Sequence, residues 1–188
     1  MSGSPVGILL AAGQSRRFGC NKLLYPVNNI PMLMLSAQTL VSVLPESIVI
    51  INQDLVPYRA QLEQLGLQVV INEQADHGMG GSIACGVRAS QDATGWLIAL
   101  GDMPYIKAET ITQLSNRIRD GAEMVAPTYA RQRGHPVGFN RVFKHELLTL
   151  HDDVGARYVI ARHQNLLELI PTTDRGVILD VDLVSDIA

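Results

Sequence analysis

Arg16, Arg17 and Lys22 follow Gly13 at close spacing, and no acidic residue precedes Glu46 in the chain. Small residues let backbone N–H groups approach an anion without a Cβ in the way. Cations beside those amides offset the anion's charge. The chemistry this pattern supports is polyphosphate binding. The same residue types also make a plain basic turn between a strand and a helix. Two familiar phosphate loops do not fit. A P-loop has four residues between its glycines and then Lys-Ser/Thr, whereas Gln14 to Phe18 separate Gly13 from Gly19 and Cys20 follows. The dinucleotide fingerprint needs Gly-x-Gly-x-x-Gly, and Ser15 stands where its second glycine belongs.

Further motifs carry chemistry-bearing residues. Asp102, in Leu100-Gly101-Asp102-Met103-Pro104, follows an apolar run. A carboxylate at a strand end suits Mg²⁺, which takes one or two carboxylates plus substrate phosphates; an Asx turn uses the same residues. Gly78, Gly80 and Gly81 lead to Ser82, where a helix begins: a place for a ribose or base, or a simple cap. His135, in Gly134-His135-Pro136-Val137, lies on a short hairpin or flap and suits a substrate phosphate. Asp153 is placed to cap a helix that carries Arg157 in its first turns, where Arg157 meets an acceptor phosphate or a surface ion-pair partner. Asp180 and Asp182 share a face if Ile178 to Asp182 is a strand, and Asp182 is then a candidate second metal carboxylate.

These residues need elements to position them. Val6 to Leu10, Ser47 to Ile51, Leu67 to Ile71, Trp96 to Leu100 and Met124 to Pro127 read as buried strands. Helices fit Met32 to Val43 after Pro31, Pro57 to Leu65, Gly81 to Ser90 and Ala108 to Arg119. Alternation of this kind predicts an α/β domain with a mostly parallel sheet. In such sheets ligands sit beyond the carboxyl ends of the strands, where the polar motifs fall.

The 188 residues are 47% hydrophobic and 18% charged, with net charge −3. One domain over 1–188 with a sizeable core is expected. The charge argues against a nucleic-acid partner, and no apolar run approaches membrane-spanning length. Cys20 and Cys85 form no disulfide framework and read as thiols in a reducing cytoplasm.

The stretch Leu10-Ala11-Ala12-Gly13-Gln14-Ser15-Arg16-Arg17-Phe18-Gly19 with Lys22 resembles the phosphate loop of nucleotidyltransferases that handle molybdopterin. With Gly101-Asp102-Met103-Pro104, Gly134-His135-Pro136-Val137 and Asp153-Val154-Gly155-Ala156-Arg157, the chain is similar to the molybdenum cofactor cytidylyltransferases from about Val6 to about Asp186. That resemblance implies a three-layer α/β/α, Rossmann-like nucleotidyltransferase fold. Its N-terminal half (about 1–100) would bind nucleotide and its C-terminal half (about 101–188) the acceptor. The implied reaction joins CTP to molybdenum-bound molybdopterin and releases pyrophosphate, with Mg²⁺ as cofactor. Leu10, Ala11, Ala12, Gly13, Gln14 and Ser15 would bind nucleotide with Gly78, Gly80 and Ser82. Arg17, Lys22 and Asp102 would serve both binding and catalysis. Gly134, His135, Pro136 and Arg157 would hold the acceptor, and Asp102 and Asp182 the metal. A molybdenum hydroxylase or its insertion chaperone is an implied partner. Departures are Asp152, where the family favours glycine, and Leu183-Val184-Ser185 after Asp182. The alternatives are a guanylyltransferase or transfer to another phosphorylated acceptor, and a non-catalytic nucleotide-binding accessory protein. An NAD-dependent oxidoreductase is more distant. Guanylyl relatives tend to carry glycine where Ala12 stands, so a methyl there is expected to favour the smaller pyrimidine.

Overall fold

A strand that is apolar at every position has no polar face to give to water and must be covered on both sides. The computed structural model, which describes residues 4–13, 21–75, 78–153 and 155–181, shows this covering. All six residues of β1 (Val6–Ala11) are buried. A small hairpin of β2 (Pro26–Val27) and β3 (Ile30–Pro31) follows, then α1 (Met32–Val43), β4 (Ile48–Ile51), α2 (Arg59–Gln64) and β5 (Gln68–Ile71). Next come α3 (Met79–Ala89), β6 (Gly95–Leu100), α4 (Ala108–Arg119) and β7 (Met124–Tyr129). The chain continues through β8 (Gln132–Arg133), β9 (Val137–Asn140), α5 (Lys144–Leu148), α6 (Arg157–Arg162) and β10 (Leu167–Pro171).

The main sheet runs β10-β7-β9-β6-β1-β4-β5, with β8 paired to β7. β4, β1 and β6 are parallel neighbours, while β9 lies antiparallel between β6 and β7. Side chains alternate across the sheet. Leu9, Val49, Leu97 and Val125 join one core with Leu33, Leu40 and Leu114 from α1 and α4. Ile8, Ile50, Trp96 and Ala126 join the other with Ile83, Val87, Leu147 and Val159 from α3, α5 and α6. Helices on both faces make the three-layer α/β/α arrangement. Each fully buried Leu or Ile contributes about 1.5–3 kcal/mol, which is why the sheet centre carries the β-branched runs. The packing is close: a Cβ on Gly86 of α3 would lie 2.6 Å from Ile8 Cγ2.

The segment from Ile178 onward departs from the expected strand. Arg175–Ile178 is a 3₁₀ helix, and the described residues after it, 179–181, join no ladder. Their backbone groups serve loops instead, with Val181 N–H donating to the Asp102 carbonyl at 3.0 Å. Asp153 caps no helix, because α6 starts only at Arg157 with Ala156 as its cap residue. Among the described residues no helix is long and apolar enough to cross a membrane. Cys85 is a free, partly buried thiol on α3; Cys20 lies outside the described residues.

Candidate active site at the carboxyl ends of β1 and β6

β1 and β6 are paired in register through Leu10 and Leu100, so the turns that follow them are neighbours. Gly101 N–H donates to the Leu10 carbonyl at 2.9 Å, which extends the ladder by one rung. The buried Ser36 hydroxyl on α1 donates to the Gly101 carbonyl at 3.1 Å. Both backbone groups of Gly101 are thereby fixed, and Asp102 projects from a rigid turn. Lys22 arrives from the other side. Asn21 Oδ1 accepts from Leu23 N–H at 3.2 Å, starting a 3₁₀ helix over Lys22–Leu24. Leu23 is buried and anchors that helix. Lys22 Nζ then lies 2.7 Å from Asp102 Oδ2, with each side chain about one-fifth exposed, 19% and 20%.

The segment after β10 braces this site from below. His135 N–H donates to the Val177 carbonyl at 2.8 Å and Gly134 N–H to the Pro127 carbonyl at 2.8 Å. A Cβ on Gly134 would collide with the Val177 carbonyl, and one on Gly176 with the Tyr105 carbonyl; glycine is required at both crossings. The His135–Pro136 peptide is cis. The flap expectation corresponds to the β7–β8 hairpin, whose turn residues Ala130 and Arg131 both have positive φ. His135 Nδ1 is buried and has no hydrogen-bond partner among the described residues. Burial lowers the pKa of its ring, Arg133 lowers it further, and Asp102 and Asp180 oppose the change. Lys22, Asp102, Gly134, His135 and Asp180 therefore belong to one neighbourhood, reached from four parts of the chain.

Gly78 and Gly80 form a second group with the segment 151–153. The segment 151–153 lies across the start of α3. A Cβ on Gly80 would sit 2.6 Å from the His151 carbonyl, and one on Gly78 would collide with Asp152. Gly80 N–H donates to the Asp152 carbonyl at 2.8 Å. The close approach these glycines permit is to the chain itself. Ser82 is not at the helix start, since α3 begins at Met79; its buried hydroxyl accepts from Asn72 Nδ2 at 3.0 Å. Arg157 is exposed at the head of α6. Ala12 is 3% exposed and packs in the core beneath α3. Its methyl thus faces protein, and the steric argument for a pyrimidine does not follow from this geometry. Gln14, Ser15, Arg17 and Asp182 lie outside the described residues.

The residue the sequence did not single out is Asn52, at the carboxyl end of β4. Its Nδ2 donates to the Ala12 carbonyl at 3.3 Å, and its buried Oδ1 has no partner among the described residues. Only its position after a buried strand could have marked it.

Among the described residues no three His, Cys, Asp or Glu side chains gather to enclose a metal. Mg²⁺ does not need a cage of protein ligands. The Asp102 carboxylate, partly exposed at a strand end, fits an ion completed by substrate phosphates.

The profile of the MobA-like NTP transferase domain matches residues 7–166. The chain belongs to the MobA-like NTP transferase family. Among its MobA-like relatives, nicotine blue oxidoreductase from Paenarthrobacter nicotinovorans is 30% identical over 190 residues, covering 95% of this chain and 92% of that protein. A probable molybdenum cofactor guanylyltransferase from Thermococcus gammatolerans is 30% identical over 56% of this chain and 52% of that protein. The crystal structure of Rv0371c from Mycobacterium tuberculosis H37Rv superposes with a TM-score of 0.86 at 27% identity, covering 99% of this chain and 96% of that one. Rv0371c has also been solved in complex with manganese (TM-score 0.80, 26% identity, 97% and 95% covered). The MobA-like family is one of nucleotidyltransferases and includes relatives concerned with the molybdenum cofactor.

Proposed function

We propose that the chain transfers CMP from CTP to molybdenum-bound molybdopterin, giving the cytosine dinucleotide and pyrophosphate. The observation that carries the reading is the Lys22–Asp102 pair at the carboxyl ends of β1 and β6. An acceptor phosphate oxygen attacks the α-phosphorus, a new phosphoanhydride forms, and the bond to the β-phosphate breaks. Such a step needs positioning and charge neutralisation, with no protein nucleophile. Lys22, with Arg17, neutralises the departing pyrophosphate. The Gly134–Pro136 turn and Arg157 hold the acceptor. Asp102 would hold Mg²⁺ together with phosphate oxygens, and Asp182 would add a second carboxylate; the ion when bound supplies positive charge at the α-phosphate. The fixed turn at Gly101 keeps Asp102 in place before substrate arrives. Leu10, Ala11, Ala12 and Gly13 lead the chain from β1 into the nucleotide site, with Gln14 and Ser15 beyond. The product passes in the cytoplasm to a molybdenum hydroxylase or its insertion chaperone.

The relative named as an oxidoreductase supports a rival reading in which nucleotide binding serves a redox step. A lysine–carboxylate pair favours triphosphate and metal over a nicotinamide. The test measures pyrophosphate release with Mg²⁺, acceptor and each of CTP, GTP, ATP and UTP, beside oxidation of NADH and NADPH. CTP is expected to give the highest turnover. Asp102→Asn is expected to lower it by roughly 100-fold or more with an unchanged melting temperature. Preference for GTP would remove the cytidylyl assignment. Near-normal turnover in folded Asp102→Asn would remove the site, and nicotinamide oxidation without pyrophosphate release would favour the rival.

A further inference from the structure

Lys22 and Asp102 are each held by the backbone and meet through their side-chain tips. Val181 N–H donates to the Asp102 carbonyl and Tyr25 N–H to the Lys22 carbonyl, both at 3.0 Å. Leu23, beside Lys22, is packed into the core and keeps that backbone from shifting. Lysine carries its ammonium on a flexible four-carbon stem, whereas the Asp102 carboxylate stands on a short one. Of the two partners, Lys22 is the one that can leave.

The pair sets two cations in competition for one carboxylate. Lys22 Nζ lies 2.7 Å from Asp102 Oδ2. Mg²⁺ sits about 2.0–2.1 Å from its oxygen ligands and demands a near-octahedral shell. An ammonium on Oδ2 takes one of the two oxygens and part of the space that shell needs. It also repels a divalent ion. Both side chains are largely withdrawn from solvent, so water screens that repulsion only in part. A triphosphate offers Lys22 another anion, carrying more charge than one carboxylate. Moving the ammonium from Oδ2 to a phosphate oxygen exchanges one ion pair for another and frees the carboxylate.

We propose that Lys22 closes Asp102 to divalent cations until a triphosphate draws the ammonium away, so that metal binding at Asp102 depends on nucleotide. This rests on the metal role proposed above for Asp102. The test follows free Mn²⁺ by its paramagnetic resonance signal as it is titrated into the whole protein, with Asp102 and Asp102→Asn compared in three settings. Without nucleotide, the two proteins are expected to bind Mn²⁺ alike. At equal CTP and with no acceptor, Asp102→Asn is expected to bind it more weakly by roughly tenfold or more. The same loss is expected without nucleotide when both proteins carry Lys22→Gln, because the competing charge is gone. Melting curves check that each variant folds. A loss of that size in ligand-free Asp102→Asn with Lys22 in place overturns the gate, since the carboxylate is then open from the start. Equal Mn²⁺ binding by the two proteins in the Lys22→Gln background overturns it as well. Either result beside normal CTP turnover leaves the transfer reaction standing. The expected three-way pattern in a protein that releases no pyrophosphate from CTP keeps the gate and sinks the transfer reading.

Discussion

His135 is where opposing charges meet. Burial and Arg133 hold its pKa below 6.5, against the pull of Asp102 and Asp180. The folded protein therefore resists protonation at a pH where the unfolded chain accepts a proton. Stability from this group is complete above 6.5 and declines as pH falls through 6.5 toward the lower folded value. Melting temperatures of ligand-free wild type and His135→Gln, measured between about pH 7 and 5, are expected to converge as pH falls. Parallel curves would show that His135 does not carry this dependence. Gly101–Asp102 and Gly134–His135 were legible as motifs because each joins a glycine to a polar residue at a chain reversal. Asn52 was not, since one amide after a strand reads like any loop residue; its meaning lies in the Ala12 carbonyl it reaches at the end of the neighbouring strand.

Helix α3 shows what a glycine-rich turn does when another segment of the same chain lies on it. Gly80→Ala places a methyl within 2.6 Å of the His151 carbonyl. Overpacking of this kind costs about 1–3 kcal/mol, and each kcal/mol lowers the melting temperature of a chain this size by roughly 2–4 °C. Gly13→Ala is the control, because among the described residues nothing lies within 4 Å of its added Cβ. Calorimetry is expected to show a clear drop for Gly80→Ala and little change for Gly13→Ala; equal drops would mean that the 151–153 contact is not tight. Helices α1 and α4 match the sequence expectation at both ends. Pro31 marks the first, and α4 carries a strong apolar stripe of Ile111, Leu114 and Ile118. β9 was missed because Val137–Asn140 is short, contains Gly138 and pairs with strands remote in sequence.

Across the whole molecule, the segment after β10 ties the two halves of the sheet edge together. Asp174 is 3% exposed. Its carboxylate accepts from Lys107 N–H at 2.8 Å, Thr110 Oγ1–H at 2.7 Å and Gly176 N–H at 2.9 Å. Asp174→Ala leaves these donors buried without a partner, at about 1–3 kcal/mol for each one that water does not reach. Urea unfolding is expected to place its midpoint well below that of Glu168→Ala, which removes only the exposed pair with Arg117. Equal midpoints would mean that Asp174 is not a structural hub. The parallel βα alternation and the carboxyl-edge location of the motifs were readable because periodicity reports burial. The path of 172–181 was not, because its backbone donors serve loops and leave no repeating pattern.

The hydrogen bond from Gly80 to Asp152 also has a thermodynamic consequence. It joins the start of α3 to the segment between α5 and α6, so a shift of one that keeps the bond moves the other. If occupancy of the nucleotide site changes the affinity for the acceptor proposed at Arg157 by some factor, occupancy by the acceptor must change nucleotide affinity by the same factor. Cooperativity between the two ligands, of either sign, is then symmetric whichever one arrives first.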